Sequence, residues 1–200
     1  MAVAAASGTR RVVIVMTAAA PRRTLYLIVC GGPRARHSSE LIGRAQARGW
    51  VVGVIATPAA RKFIAEETLV RQTGFAVRSE YSLVDEADAP PPADAMLVCP
   101  ATFNTINKWA LGIADTLALG LLTEALGRKL PIVAAPALNN AQEAHPAFRQ
   151  SVTVLRNAGV TVLYGPGIYE PGPPGTGGRP YDWDMPIRAL EERVRRRAPD

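Results

Sequence analysis

The apolar run Ala95-Met-Leu-Val-Cys99 leads directly into Pro100-Ala-Thr-Phe-Asn-Thr-Ile-Asn-Lys108. The first five residues are typical of a parallel strand that is buried on both faces. The proline and the short polar residues that follow suit the first turn of a helix. In open α/β sheets this kind of corner directs backbone N–H groups toward bound phosphorylated cofactors. An ordinary turn with a polar N-cap would have the same composition, so the corner alone leaves both interpretations open.

The rest of the chain alternates between short apolar runs and amphipathic helical segments. Continuous apolar strands separated by helices predict a parallel sheet that is covered on both faces. We therefore expect an α/β protein, a Rossmann-like three-layer α/β/α sandwich. The sheet should have about six strands, at residues 24–30, 50–56, 75–77, 96–99, 131–135 and 160–164.

The domain organisation predicted from the sequence is simple. Residues 24–200 should form a single domain, and a Gly/Pro-rich loop covers residues 165–184. Residues 1–23 are expected to be an N-terminal extension, either flexible or forming an extra strand.

Composition and charge exclude several classes of protein. The net charge is +6, but no aromatic-plus-basic cluster accompanies it, so nucleic-acid binding is not expected. No apolar run is long enough to predict a membrane span. The two cysteines, Cys30 and Cys99, have no metal-binding spacing, and we predict no metal site. Each thiol is either a buried core residue of a reduced, cytoplasmic protein or a neighbour of a cofactor.

Two further loops have residues that suit a phosphate. Gly31-Gly-Pro33 follows the first strand, yet it lacks the full Gly-x-Gly-x-x-Gly pattern. It is either a close approach to a phosphate or a plain tight turn. Thr57 precedes Pro58 at the start of a predicted helix, where a threonine N-cap and a proline in the first turn are both favourable.

Four stretches of the sequence resemble motifs of one known family. Pro100–Leu117 resembles the Pro-Ala-Ser-Ala-Asn-Thr motif and the following Gly-Ile-Ala/Cys-Asp helix, which here is Gly112-Ile-Ala-Asp-Thr116. Residues 31–41 are similar to the family's first loop, and residues 56–63 to its Met-Thr-x-x-Ala-x-x-Phe segment. Residues 135–143 resemble its Pro-x-Met-Asn-x-x-Met-Trp motif. The family is that of the homo-oligomeric flavin-containing cysteine decarboxylases.

The resemblance implies a cofactor, a reaction and an assembly. The cofactor would be flavin mononucleotide (FMN), and the protein a homotrimer or a multiple of trimers with its flavin site between subunits. The flavin would oxidise a cysteine-type thiol substrate, which then loses carbon dioxide and leaves an ene-thiol. The motifs place ten residues at the flavin: Gly31, Gly32, Pro33, Thr57, Ala59, Thr102, Phe103, Asn104, Thr105 and Ala137.

The resemblance also suggests residues that meet the substrate. Asn139 matches the asparagine that holds the substrate carboxylate in the family. Residues 165–180 resemble the clamp that closes over substrate, from which Arg179 could pair with the same carboxylate. Family members that make phosphopantetheine carry a cysteine in this clamp, and this chain has none there. The favoured substrate is therefore a peptide with a C-terminal cysteine rather than phosphopantothenoylcysteine.

The chain departs from the family at the catalytic base. Decarboxylating members have a histidine about fourteen residues ahead of the Pro-Ala-Ser motif, whereas this chain has Glu86 there and no histidine between His37 and His145. Either Glu86, Asp85 or Tyr81 replaces the base, or Glu86 is a solvated loop residue and the chemistry differs. His145 itself is expected to be structural.

Other departures lie beside the cofactor and the substrate. Gln142 and Glu143 replace the Met-Trp pair of the substrate motif, and Leu138 replaces its first methionine. Arg34 and Arg36 occur where the family has small or apolar residues, and they either add charge near a phosphate or are solvated. These differences support a second hypothesis, in which the chain binds FMN but serves as a non-decarboxylating partner or regulatory protein.

Overall fold

The computed structural model describes residues 22–81, 89–176 and 181–197. Its centre is a five-stranded parallel sheet with the strand order β2-β1-β3-β4-β5. The strands are β1 (Thr24–Val29), β2 (Val51–Ala56), β3 (Ala95–Ala101), β4 (Ile132–Pro136) and β5 (Thr161–Val162).

Helices connect the strands, as expected for a parallel sheet. Two short 3-10 turns, Pro33–His37 and Pro58–Lys62, follow β1 and β2. The α-helices are α1 (Ser38–Gln46), α2 (Glu66–Thr73), α3 (Phe103–Ala110), α4 (Leu117–Gly127), α5 (Asn140–Ala144), α6 (Pro146–Asn157) and α7 (Asp184–Arg197).

The core has two halves, one on each face of the sheet. On one face, side chains of α3, α4 and α6 pack against alternate strand residues such as Ile28 and Val98. On the other face, α1, α2 and α7 pack against Leu27 and Leu97. Every residue of β1 and β3 is buried, because these strands are covered on both faces. The predicted three-layer α/β/α sandwich is confirmed.

Among the described residues the sheet has five strands rather than the predicted six or so, because residues 75–77 do not form a strand. Gly74 ends α2 in the left-handed conformation (φ 78°), and the chain then touches β2 through a single bridge between Ile55 and Arg78. Arg78 exchanges two backbone hydrogen bonds with Val54 and Ala56, and no longer ladder forms. Its neighbours in 75–77 are partly or fully exposed, so this short run lacks the burial that supports a strand.

Three helical segments of the chain are interrupted or begin irregularly. Residues 104–126 form two helices, α3 and α4, and the chain between them turns through Gly112 with a positive φ of 72°. Residues 144–158 begin a new helix at Pro146, which has no N–H to continue the bonding of α5. The helix after Ala56 begins as a 3-10 turn with Thr57 at its N-cap, but the Thr57 side chain makes no capping hydrogen bond.

The two thiols lie on opposite faces of the sheet. Cys30 packs in the half of the core covered by α3, and Cys99 packs in the half covered by α1 and α7. Both are fully buried and neither forms a disulfide. Burial raises the pKa of both thiols, that of Cys99 to about 12. Both therefore remain protonated, and poorly nucleophilic, at neutral pH.

Two general features of the described residues bear on function. None of the helices in this part of the chain is both long enough and apolar enough to cross a membrane. Within the same residues, no group of three or more histidine, cysteine, aspartate or glutamate side chains could hold a metal ion.

Candidate functional site

The loops that follow β1, β2, β3 and β4 meet at the carboxyl edge of the sheet, where open α/β folds bind ligands. Backbone hydrogen bonds fix them to one another. The Cys30 N–H donates to the Pro100 carbonyl (3.2 Å), and the Ala137 N–H donates to the Ala101 carbonyl (2.9 Å). The Thr57 N–H donates to the Val29 carbonyl (2.9 Å). The four loops therefore form one continuous rim.

A cleft of about 540 Å³ opens along this rim, and we call it the larger cleft. Its volume lies within the range that small-molecule sites usually have. The structure brings together in this cleft all ten residues that the motifs place at the flavin: Gly31, Gly32, Pro33, Thr57, Ala59, Thr102, Phe103, Asn104, Thr105 and Ala137. That these residues bind a flavin stays a prediction, but they do share one cavity.

Gly31 allows the first two loops to approach closely. A Cβ atom at this position would lie 2.6 Å from the Ala59 Cβ and 2.8–2.9 Å from the Ala59 carbonyl group. Such distances are shorter than real contacts between these atoms, and two of the three atoms are backbone. Glycine is therefore required at Gly31 because the backbone of the second loop packs directly against it.

The β3–α3 corner directs polar groups into the larger cleft. Thr102 is the N-cap of α3, where its hydroxyl accepts a hydrogen bond from the Thr105 N–H (3.4 Å). The two threonine hydroxyls also lie 3.1 Å apart. Hydrogen bonds from both threonines act on the Cys30 thiol and lower its pKa, but burial has the larger, opposite effect. The corner thus offers hydroxyl and backbone N–H groups to a ligand.

Three polar residues that line the larger cleft were not among those predicted from the sequence, although they lie within the motif. Lys108 and Asp115 form an ion pair at its wall, and Thr116 caps α4 by accepting a hydrogen bond from the Leu119 N–H. Lys108 and Asp115 are the charged side chains among the described residues that line the cleft. Asp115 and Thr116 belong to the quoted segment 112–116, so the signal was present in the sequence.

A second cavity of about 190 Å³, the smaller pocket, adjoins the larger cleft. Asn139, Leu138 and Arg34 line it, together with four residues from the described part of the clamp, 165–176: Tyr169, Gly172, Pro173 and Gly175. The two cavities share five lining residues: Gly32, Pro33, Thr102, Ala137 and Gln142. A molecule in the smaller pocket would therefore lie next to a molecule in the larger cleft.

Asn139 has a structural task at the edge of the smaller pocket. It is the N-cap of α5: its Oδ1 accepts from the Gln142 N–H (2.9 Å), and the Gln142 side chain accepts from the Asn139 N–H (3.2 Å). This reciprocal pair is a capping box. The cap uses the oxygen of the Asn139 amide, and the amide NH₂ is the group that can donate to a ligand.

The described part of the clamp packs on the Asn139 segment. The Tyr169 hydroxyl donates to the Leu138 carbonyl (2.8 Å) and accepts from the Leu138 N–H (3.2 Å). The Asn140 N–H donates to the Gly172 carbonyl (2.9 Å). These bonds place the clamp as a wall of the smaller pocket.

An aromatic cluster surrounds Arg34 in this pocket. The guanidinium carbon of Arg34 lies 4.8 Å from the Tyr181 ring centroid and 5.6 Å from that of Tyr169. Burial raises the pKa of Tyr181, whereas the Arg34 charge acts to lower it. Arg36, which the sequence analysis grouped with Arg34, is exposed and lines neither cavity.

The remaining substitutions in the substrate motif have structural partners. Gln142 completes the capping box, and Glu143 accepts a hydrogen bond from the Tyr164 hydroxyl. His145 is the N-cap of α6, and its Nδ1 accepts from the Ala147 N–H (3.2 Å). His145 also contacts the Phe103 ring edge-on, with centroids 5.5 Å apart. It is exposed and has the structural role expected for it.

Two residues assigned to catalysis, Glu86 and Arg179, lie outside the described residues, as does Asp85. Tyr81, the third candidate for the base, is described and is 69% exposed. Neither Ser38 nor Ser39 caps α1, because His37 is the N-cap. Ser38 donates to the Ala35 carbonyl, and Ser39 donates to the Gln72 side chain.

Comparison with known proteins gives relatives in two groups. The coenzyme A biosynthesis bifunctional protein CoaBC of Bacillus subtilis (strain 168) is 32% identical over 143 residues. The alignment covers 68% of this chain and 34% of that protein, so the chain spans about a third of this relative's length. Among solved structures, the epidermin biosynthesis protein EpiD from Staphylococcus aureus is 26% identical with a TM-score of 0.60. That match covers 70% of this chain and 81% of EpiD.

A third similarity concerns the fold. The FMN-dependent cysteine decarboxylase SpaF matches 86% of this chain and 98% of its own chain, with a TM-score of 0.67 and 24% identity. A family model described as Flavoprotein matches residues 12–177, which is most of the chain and includes every residue that lines the larger cleft or the smaller pocket. The chain therefore belongs to the Flavoprotein family.

Proposed function

We propose that this protein binds FMN in the larger cleft and catalyses the oxidative decarboxylation of a cysteine-type thiol substrate held in the smaller pocket. One observation carries the proposal. Ten residues chosen from sequence motifs in four separate loops line a single cleft, and that cleft adjoins the pocket that contains Asn139. Structural similarity to an FMN-dependent cysteine decarboxylase supports the same cofactor and reaction class.

The chemistry of the larger cleft suits FMN. Its walls supply threonine hydroxyls and the N-terminus of α3, both of which favour a phosphate or a ribityl chain. Gly31 and Ala59 allow the loops after β1 and β2 to pack directly against each other at the cleft, since any larger residue at Gly31 would push the two loops apart. Pro33, Phe103 and Ala137 add apolar surface against which a flat ring can pack.

In the proposed reaction the protein binds and orients the substrate. When bound, FMN would accept the two electrons released as the thiol-bearing carbon is oxidised, which allows the substrate to lose carbon dioxide. The NH₂ group of Asn139 would donate a hydrogen bond to the substrate carboxylate. Leu138 and the clamp residues Tyr169 and Pro173 would limit the access of water to the pocket.

We propose two further residues for this site, Glu86 as the base and Arg179 as a second partner of the substrate carboxylate. Both proposals rest on the sequence motifs. A carboxylate can act as a base at neutral pH when burial raises its pKa.

The substrate is proposed to be a peptide that ends in cysteine, with phosphopantothenoylcysteine as the less favoured choice. The relatives by name take part in both coenzyme A biosynthesis and epidermin biosynthesis. The absence of a cysteine from the sequence of the clamp, residues 165–180, favours the peptide.

A second candidate function is FMN binding without decarboxylation, as a partner or regulatory protein. The specific observation in its favour is the altered substrate motif. Gln142 is held in the capping box and Glu143 is bonded to Tyr164, so neither supplies the apolar surface of the Met-Trp pair. The missing histidine supports the same interpretation.

We also propose that the protein assembles as a homotrimer, or a multiple of trimers, in the cytoplasm. Leu111 is 75% exposed and Ile113 is 39% exposed, and both lie in the α3–α4 connection. Lys108 and Asp115, on either side of them, line the larger cleft. Apolar exposure next to a cofactor cleft is typical of a surface that a second subunit covers.

Two buried, unpaired thiols are consistent with a reducing compartment.

The Gly31→Ala variant tests the larger cleft. The added methyl group overlaps the Ala59 backbone, and overpacking of this kind costs about 1–3 kcal/mol. We expect FMN affinity, measured by titration of the apoprotein, to fall about tenfold or more. Gly127→Ala is the matched control, because a Cβ there has no neighbour within 4 Å. Equal FMN affinity in both variants would show that the cleft is not the flavin site.

Asn139 variants separate its cap from its role toward substrate. Asn139→Asp keeps the oxygen that caps α5, since Asp and Asn are comparable N-caps, but it loses the NH₂ donor and adds a negative charge. We expect Asn139→Asp to melt like the wild type, and both it and Asn139→Ala to lose most carbon dioxide release from cysteine-ended peptides. Asn140→Ala, at the exposed neighbouring position, should retain activity. Unchanged release by Asn139→Ala would remove Asn139 from the mechanism.

The mass in solution tests the assembly. Light scattering coupled to size exclusion should give three times the mass of the 21.3 kDa chain, or a multiple of that value. Replacing Leu111 with Asp should shift the mass toward the monomer, because a buried unpaired charge disfavours an interface. A monomeric wild-type protein would contradict the proposed assembly.

A further inference from the structure

The smaller pocket contains a cation that the proposed reaction leaves without a task. Arg34 lies in the 3-10 turn Pro33–His37 and lines the same cavity of about 190 Å³ as Asn139. Its guanidinium group is placed over two tyrosine rings, at 4.8 Å from Tyr181 and 5.6 Å from Tyr169. Both distances are within the range of cation–π attraction.

The tyrosines that hold Arg34 are themselves fixed. Tyr169 makes two hydrogen bonds to the backbone of Leu138, the residue next to Asn139. Tyr181 packs edge-on against Trp183, with ring centroids 4.9 Å apart, and against Tyr169 at 6.4 Å. Arg34 is therefore a pre-positioned cation, which loses little conformational freedom when it binds a ligand.

The pocket around Arg34 favours an anion. None of the described residues that line it is acidic, and its polar side chains besides Arg34 include the amides of Asn139 and Gln142. The positive charge of Arg34 also affects two buried neighbours, because it acts to lower the pKa of both Cys99 and Tyr181.

The chemistry of decarboxylation indicates which anion Arg34 serves. The reacting carboxylate loses its charge as it becomes carbon dioxide. That carboxylate already has two proposed partners, Asn139 and Arg179, and each further cation paired with it would stabilise the ground state more than the transition state and so slow the reaction. A further arginine in the pocket avoids this cost when it pairs with a group that keeps its charge throughout the reaction.

We propose that Arg34 is a specificity-determining residue that binds a second anionic group of the substrate, a carboxylate or a phosphate, which stays charged during the reaction. The proposal rests on the proposed function of the same site. Consecutive residues of an extended peptide are about 3.3–3.6 Å apart. If the C-terminal cysteine of a substrate peptide lies at Asn139, the side chain of the residue before it can therefore reach a second protein group in this pocket.

Synthetic peptides and FMN-loaded protein test the proposal. The probes are two pairs of peptides, one ending in Asp-Cys or Asn-Cys and the other in phosphoserine-Cys or Ser-Cys. Affinity is measured by calorimetry, with the C-terminal carboxylate both free and as the amide. We expect the wild type to bind the charged member of one pair at least about tenfold more tightly, with either terminus. The pair that shows the preference identifies a carboxylate or a phosphate as the group.

Three variants make the test specific to Arg34. Arg34→Gln should abolish the preference while affinity for the neutral peptide changes less than about twofold. Arg34→Lys should retain part of the preference, because it keeps the charge but not the planar fork. Arg36→Gln removes the same charge from the exposed side of the same turn and should keep the full preference.

Two results would overturn the proposal: no charge preference in the wild type for either pair, or a preference that survives in Arg34→Gln. A preference that disappears when the C-terminus is an amide would also overturn it, because the group bound would then be the leaving carboxylate. The FMN content of each sample separates this test from the proposed function. Protein that holds FMN but shows no preference refutes the role of Arg34 alone, whereas protein that takes up no FMN refutes the proposed function.

Discussion

Two backbone hydrogen bonds at the end of β3 fix the loops that line both cavities. The Pro100 carbonyl accepts from Cys30 and the Ala101 carbonyl accepts from Ala137, so β3 ties the loop after β1 to the loop after β4. These bonds are available because β3 lies between β1 and β4 and is buried throughout. The polar rim of the site thus depends on an apolar strand with no role in chemistry. Rigid placement of loops by a buried scaffold is a general way to position functional groups.

The fold could be predicted largely from the pattern of buried strands. The runs in β1, β2 and β3 are almost entirely apolar, which only a parallel sheet covered on both faces explains well. The pattern was least informative where runs were short. Residues 75–77 are apolar but partly exposed, and they form one bridge rather than a strand. Gly112 and Pro146, where the helices are interrupted, can be recognised in the sequence as residues that disfavour a helix. Helix periodicity alone, however, did not determine where each helix ended.

The parts of the site that lie within sequence motifs could be predicted. The ten predicted flavin residues could be chosen because each lies in a stretch that resembles a motif of one family, and the sheet brings those stretches together. The capping box of Asn139 is also local, since it joins residues three apart. The cluster of Arg34, Tyr169 and Tyr181 was not predictable, because it joins residues far apart in the sequence. Glu86 and Arg179 remain predictions from sequence.

The absorbance spectrum of the purified wild-type protein tests most directly whether the larger cleft holds FMN. Mass analysis then identifies any cofactor that the protein releases on denaturation. If the larger cleft holds FMN, the protein should be yellow, show flavin absorbance bands and release about one molecule of FMN per chain. A colourless protein that also fails to take up added FMN would contradict it, because the motifs around the cleft would then serve only the fold.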